Sequence, residues 1–111
     1  MLPQKNRIGK KLFPEFIRRA KTFSSDNVYL KVSRDCQENK AFAFVASLKV
    51  SKKAVERNKL KRIARAITSP LLKDVSNGIC AAVFFKPTML GKKYAEIRDE
   101  IISLYKKAKI I

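Results

Sequence analysis

Residues 50–65 read Val50-Ser51-Lys52-Lys53-Ala54-Val55-Glu56-Arg57-Asn58-Lys59-Leu60-Lys61-Arg62-Ile63-Ala64-Arg65, and their spacing is that of an amphipathic helix. Leu60, Ile63, Ala64 and, a turn later, Ile67 recur at three- and four-residue intervals and form one apolar stripe. Ser51 is placed to cap this helix, which is expected to run to about Ser69, before Pro70. The other side is cationic. Arg57, Lys61 and Arg65 stack four residues apart, and Asn58 and Arg62 form a neighbouring row. Like charges at that spacing cost an isolated helix a few tenths of a kcal/mol per pair, and only Glu56 relieves them. A solvated face would mix signs. A face that tracks phosphates would not, because each neutralised phosphate releases condensed counterions. Asn58 adds a neutral donor and acceptor suited to a sugar hydroxyl or a base edge.

Working outward, Phe13, Phe16, Ile17 and Ala20 give an earlier helix its apolar stripe, with Pro14 in the first turn and Arg18, Arg19 and Lys21 on the other side. Ser24-Ser25-Asp26-Asn27 is a turn cluster. Val28, Leu30 and Val32 then alternate with Tyr29 and Lys31, the pattern of a half-buried strand. A polar turn leads to a second strand over Ala41 to Leu48, with Lys49-Val50-Ser51 continuing it or forming a short third strand. Beyond the basic helix and the Asn77-Gly78 turn, Ile79 to Phe85 is apolar throughout, as in a strand covered on both faces. A last helix is expected over about residues 91–108, with Tyr94, Ile97, Ile101, Leu104 and Ala108 facing inward. The order is α-β-β-β-α-β-α. This is an α+β, two-layer sandwich of about four strands and three helices, with a possible βαβ unit across the basic helix.

Length and composition bound the chemistry. The 111 residues are expected to make one domain, with residues 1–11 an extended, flexible basic arm. Apolar residues form 46% of the chain, enough for a core, which separates it from a disordered basic tail. Lys and Arg number 26 against 9 Asp and Glu, net +17. Residues 1–25 and 49–65 carry most of that charge, at +6 and +7. Such a domain repels itself unless a polyanion neutralises it, and RNA, DNA and an anionic membrane are the candidates. Nucleic acid is favoured, since no segment has the length and hydrophobicity for membrane insertion. The chain has no His, which rules out Ser-His and Cys-His nucleophilic centres. With Cys36 and Cys80 far apart, a zinc site is not expected either. No signal peptide is evident. The chain is expected in the cytoplasm with both thiols reduced, Cys80 serving as a small core residue.

The stretch from Val50 to Arg65 resembles the signature helix of the bacterial ribonuclease P protein subunit. That family carries Arg-Asn-Arg-hydrophobic-Lys-Arg followed three residues on by Arg. Arg57, Asn58, Lys61, Arg62 and Arg65 match, while Lys59 keeps the charge without the bidentate fork of Arg. Arg7-Ile8, Phe13-x-x-Phe16-Ile17, Phe85-Lys86-Pro87 and the closing helix fit in order. The resemblance implies a fold similar to a ribosomal-protein domain with a left-handed βαβ crossover. It implies a subunit of a ribonucleoprotein endonuclease that removes the 5′ leader of precursor tRNA. Catalysis and the magnesium ions are then expected in the RNA subunit, with no protein-bound cofactor or metal, no catalytic residue in this chain, no membrane and no obligate protein partner. The inventory agrees, with no clustered carboxylates for acid–base work. By resemblance, Lys52, Lys53, Arg57, Asn58, Lys59, Lys61, Arg62 and Arg65 bind the RNA subunit. Phe13 and Ile17 match the cleft positions of the first helix, Ile17 being aliphatic where Phe is common. Tyr29 and Lys31 complete a leader-binding cleft whose mix of cation and aromatic faces suits single-stranded RNA. Phe16 is read as core.

Overall fold

The computed structural model describes residues 6–8, 13–34 and 40–111. Cys36 and much of the basic arm lie outside the described residues. The elements are α1 (Phe13–Arg19), β1 (Lys21–Ser24), β2 (Val28–Ser33), β3 (Ala41–Val45), α2 (Ala54–Thr68), β4 (Cys80–Phe85) and α3 (Tyr94–Lys107). Short 3-10 stretches follow α2 at Ser69–Asp74 and β4 at Pro87–Met89, each opened by a proline. The α-β-β-β-α-β-α order and the α+β class are as expected.

The strands form one mixed sheet in the order β1-β2-β4-β3. β2 is antiparallel to both β1 and β4, and β3 runs parallel to β4. β3, α2 and β4 therefore form the expected βαβ unit. β4 lies between two strands with helices over both faces, and all its residues but Phe84 are buried. This is why its sequence is apolar without alternation.

Side-chain parity assigns the two faces. Val28, Leu30 and Val32 of β2, Ala81, Val83 and Phe85 of β4, and Phe42 of β3 point into the main core. Leu60, Ala64 and Ile67 of α2 and Ile97, Ile101, Leu104 and Tyr105 of α3 close over them. The one polar pair in this layer, Thr68 and Tyr105, is joined hydroxyl to hydroxyl at 2.6 Å, so neither buried group is left unsatisfied. On the opposite face, Phe16 of α1 packs on Ala41, Cys80 and Ala82, with Phe13, Ile17 and Phe84 partly buried beside them.

Four expectations are corrected. The additional strand is Lys21–Ser24, not residues 49–51. β1 is an edge strand with only Phe23 apolar, and edge strands tolerate Lys and exposed hydroxyls. Residues 48–50 instead form a turn, in which the Val50 amide donates to the Ser47 carbonyl at 3.0 Å. Lys53, not Ser51, stands at the N-cap of α2, and the Ser51 hydroxyl accepts the Lys53 amide at 3.1 Å. Tyr94 opens α3 half exposed, and the buried stripe begins one turn later at Ile97. Cys80 is buried as expected, but it is disulfide-bonded rather than a free thiol.

The described part of the arm is also anchored. Asn6 is buried and donates through Nδ2 to the Lys40 carbonyl at 2.8 Å, Arg7 bridges Phe42 in parallel, and the Ile8 amide donates to the Phe42 carbonyl. This covers the outer edge of β3, which would otherwise present unpaired backbone groups.

Candidate RNA interface

α2 turns its cations outward because its apolar stripe is fixed in the core. Asn58, Lys59 and Arg62 are exposed, as are Lys52 and Lys53 just ahead of the helix. Arg57, Lys61 and Arg65 are half-buried along the flank, where their stems cover the core. The ion pairs among the described residues, Glu15–Arg19 at 3.1 Å and Arg98–Asp99 at 3.3 Å, lie elsewhere. No described carboxylate pairs with a cation of α2. Glu56, the one acid on the helix, sits in its first turn, where the helix dipole favours it, and accepts from the Ser51 hydroxyl at 2.5 Å. Arg57 donates through Nη1 to the Ser51 carbonyl at 2.9 Å. One residue of the predicted face is thus also a brace for the β3–α2 connection. Val55, 79% exposed, stands on the same outward surface as Asn58.

The second set of predicted residues lies on the opposite side of the sheet. Phe13 and Ile17 are half-buried on the inner side of α1, packed on the small residues of β3 and β4. Tyr29 and Lys31 rise from β2 on that face, two residues apart. Tyr29 and Phe13 are brought together by a residue that sequence reasoning passed over, Phe84. The Tyr29 and Phe84 rings stack with centroids 4.8 Å apart and planes 2° from parallel. Phe13 meets Phe84 at 6.3 Å and 44°. The signal was present in parity, since Val83 and Phe85 face the core and Phe84 must face α1, but a uniformly apolar run conceals parity. Lys31 donates to Thr22 Oγ1 at 2.9 Å, which sets its ammonium at the β1 side of the aromatic pair.

The turn beside this face is held from below. Glu100 of α3 accepts from the Ser25 hydroxyl and from the Asn27 amide and side chain, both at 2.8 Å. Burial alone would raise its carboxyl, but the hydrogen bonds from Ser25 and Asn27, with Lys92 nearby, outweigh burial and hold it below its ordinary value. Lys86 donates to the Ser24 hydroxyl at 3.0 Å and the Ser25 carbonyl at 2.5 Å. The β1–β2 turn, and with it the start of the strand that carries Tyr29, is therefore fixed.

The family model described as Ribonuclease P matches residues 2–109. The chain belongs to the ribonuclease P protein family. Among its relatives, the ribonuclease P protein component of Pseudanabaena sp. (strain PCC 6903) is 30% identical over 113 residues, covering 100% of this chain and 97% of that protein. That of Rippkaea orientalis (strain PCC 8801 / RF-1) is 33% identical over 116 residues, covering 99% and 91%. The fold matches the Staphylococcus aureus RNase P protein with TM-score 0.83 at 17% identity, over 95% of this chain and 96% of that one. It also matches the Thermotoga maritima protein in complex with 1-(4-fluorophenyl)-2-thiourea, with TM-score 0.78 at 19% identity over 88% and 94%. Membership of the ribonuclease P protein family makes this chain a component of an RNA-binding, tRNA-processing ribonuclease whose partner is the ribonuclease P RNA. Among the described residues, no helix is long and apolar enough to cross a membrane.

Proposed function

We propose that the chain binds the catalytic RNA of ribonuclease P through α2 and holds the 5′ leader of precursor tRNA against the α1 face, assisting removal of the leader to give the mature tRNA 5′ end. The observation that carries this reading is the pairing of two unlike surfaces on one sheet. One is a cationic helix with no described carboxylate partner, suited to folded RNA backbone. The other is a stacked Tyr29–Phe84 pair beside Lys31, suited to unpaired bases.

Lys52, Lys53, Arg57, Asn58, Lys59, Lys61, Arg62 and Arg65 contact the RNA subunit. Phe13, Ile17, Tyr29 and Lys31, with Phe84, contact the leader. Hydrolysis belongs to the RNA subunit, which holds the magnesium ions. Among the described residues no three His, Cys, Asp or Glu side chains gather where they could hold a metal ion. We place the complex in the cytoplasm, with neither a membrane nor an obligate protein partner.

The test is reconstitution with a bacterial ribonuclease P RNA at low magnesium. Addition of the protein is expected to raise the rate of leader removal, and protein without RNA is expected to cleave nothing. Absence of stimulation would overturn the reading, as would magnesium-dependent cleavage by the protein alone.

A further inference from the structure

The cationic surface of α2 does not stop where that helix ends. Thr68 is the last residue of α2, and its hydroxyl meets that of Tyr105 at 2.6 Å, which seats the last turn of α3 beside the last turn of α2. That turn carries Lys106 and Lys107, both exposed, and Lys109 just past it is exposed too. Arg34, at the exit of β2, is tied to the same place. Its Nη2 donates to the Ala108 carbonyl at 2.9 Å and to the Lys109 carbonyl at 3.2 Å. Four cations thus share one end of α3, and none of them pairs with a described carboxylate. Lysines near a helix C-terminus are ordinarily explained by the helix dipole and the free carbonyls. Here Arg34 already serves two of those carbonyls, and the Lys109 and Ile110 amides close the turn on the Lys106 and Tyr105 carbonyls at 3.0 and 3.1 Å. Lys109 itself has left-handed backbone, with φ 58°, and no other described non-glycine residue has a positive φ. It stands just past the helix, where glycine is unstrained and a residue with a side chain is not. The fold alone would be served better by glycine, and strain of this kind points to work for the side chain.

We propose that Arg34, Lys106, Lys107 and Lys109 form a second contact for the ribonuclease P RNA, continuous with α2, that holds a further stretch of its phosphate backbone. The proposal rests on the assignment of α2 to that RNA and extends it to α3. Three features select this occupant. The first is side. α2 and α3 close over the same face of the sheet, while the leader is assigned to the α1 face, so the RNA seated on α2 is the one within reach. The second is continuity. α2 has 15 residues and spans about 22 Å, and the α3 cations prolong its track past Arg65 without an intervening described ion pair. The third is chemistry. The large apolar side chains that stand exposed are Leu48, Val55 and Tyr94, and Tyr94 lies at the opposite end of α3. This end therefore offers charge without a stacking face, which suits phosphates rather than unpaired bases. Contact here is with backbone alone and does not depend on RNA sequence.

The experiment measures binding of the full chain to ribonuclease P RNA over a salt series. Lys106→Gln, Lys107→Gln and Lys109→Gly combined are expected to weaken binding roughly tenfold at low salt and to flatten the slope of log K against log salt by about 2. Lys92→Gln with Lys93→Gln takes charge from the other end of α3 and is expected to change binding by less than about twofold. Lys109→Gly alone should weaken binding while leaving the melting temperature unchanged or higher, a combination that a purely structural Lys109 would not give. An unchanged salt slope in the triple variant overturns the proposal, as does an equal loss in the Lys92 and Lys93 control. If Arg57→Ala with Arg62→Ala weakens binding to the RNA subunit and the α3 substitutions do not, this proposal falls and the assignment of α2 stands. If neither set weakens it, both fall. In the reconstituted holoenzyme, a Lys107→p-benzoylphenylalanine variant should photo-crosslink to the RNA subunit, and crosslinking to precursor tRNA instead would overturn the choice of partner.

Discussion

Arg57 and Ser51 are joined across the first turn of α2, guanidinium Nη1 to carbonyl oxygen at 2.9 Å. Arg57 therefore has a structural role that Arg62, further along the helix and exposed, lacks: it fixes the connection on which Lys52 and Lys53 stand. On the proposed function both also contact RNA phosphates. Arg62→Ala is expected to leave stability within about 0.5 kcal/mol of the parent. Arg57→Ala should cost about 1 kcal/mol through the lost hydrogen bond. Thermal or denaturant unfolding of the two variants checks this difference.

The same two substitutions separate the RNA surfaces. Arg57→Ala combined with Arg62→Ala should weaken binding to the RNA subunit more than contact with the leader. Each lost phosphate contact should flatten the slope of log K against log salt by about 0.7–0.9. Binding titrations over a salt series measure both effects, and equal losses for RNA subunit and leader would contradict the division between α2 and the α1 face.

Tyr29→Ala and Phe84→Ala should behave differently despite being stacked on one another. Tyr29 stacks on Phe84 and is not part of the α1 cluster, so its loss should fall mainly on leader binding, by about 1–3 kcal/mol per base stacked. Phe84 also supports Phe13 and the α1 cluster, so its loss should lower stability as well. Parallel melts and leader-dependent binding distinguish the two.

Acid should loosen the β1–β2 turn. The Glu100 carboxyl is depressed in the folded chain, so the stability it contributes is fully present above the unfolded carboxyl range, near pH 4.3 as a rough value, and disappears as pH falls through the lower folded value. Glu100→Gln is expected to be less stable at neutral pH and to lose less than the parent between about pH 5 and pH 3. Thermal melts across that range, or amide exchange at Ser25 and Asn27, provide the readout.

Tyr105 and Thr68 form the polar contact of the main core, and burial pushes the Tyr105 hydroxyl well above its ordinary value despite the Thr68 hydrogen bond. Tyr105→Phe leaves the Thr68 hydroxyl buried without its partner, at a cost of about 1–3 kcal/mol. Adding Thr68→Val should recover part of that loss, because the unsatisfied group is then gone. A double-mutant cycle by denaturant unfolding tests the expected non-additivity.

Much of this architecture was legible in the residues themselves. The stripe Leu60-Ile63-Ala64-Ile67, the alternation Val28 to Val32 and the unbroken apolar run to Phe85 each have one physical solution, and the structure adopts it. β1 was hidden because Lys21-Thr22-Phe23-Ser24 gains its strand character from pairing with β2, not from any pattern of its own. Phe84 was hidden because a strand covered on both faces gives no sign of which side each residue takes. The two hydrogen bonds that pin Asn6 and Ile8 to the edge of β3 are tertiary, and a basic arm carries no trace of them. The disulfide at Cys80 was missed for another reason: the expectation of a reduced thiol came from compartment, not from the chain.

α1 and α2 press on opposite faces of one sheet, and the sheet is shared by both surfaces. On the proposed function this makes the protein a spacer. The depth of packing between Leu60, Val83 and Ala81 sets how far the catalytic RNA stands from the strand it must cut, while Ala82 and Phe84, the alternate residues of the same strand, set the leader's side of that gap. A substitution that thickens or thins this layer would touch no RNA, yet it would move the cut along the leader. Fidelity of the cleavage position is then a property of the hydrophobic core, and variants of Ala81 or Ala82 that fold normally are the ones in which miscleaved tRNA ends should be sought.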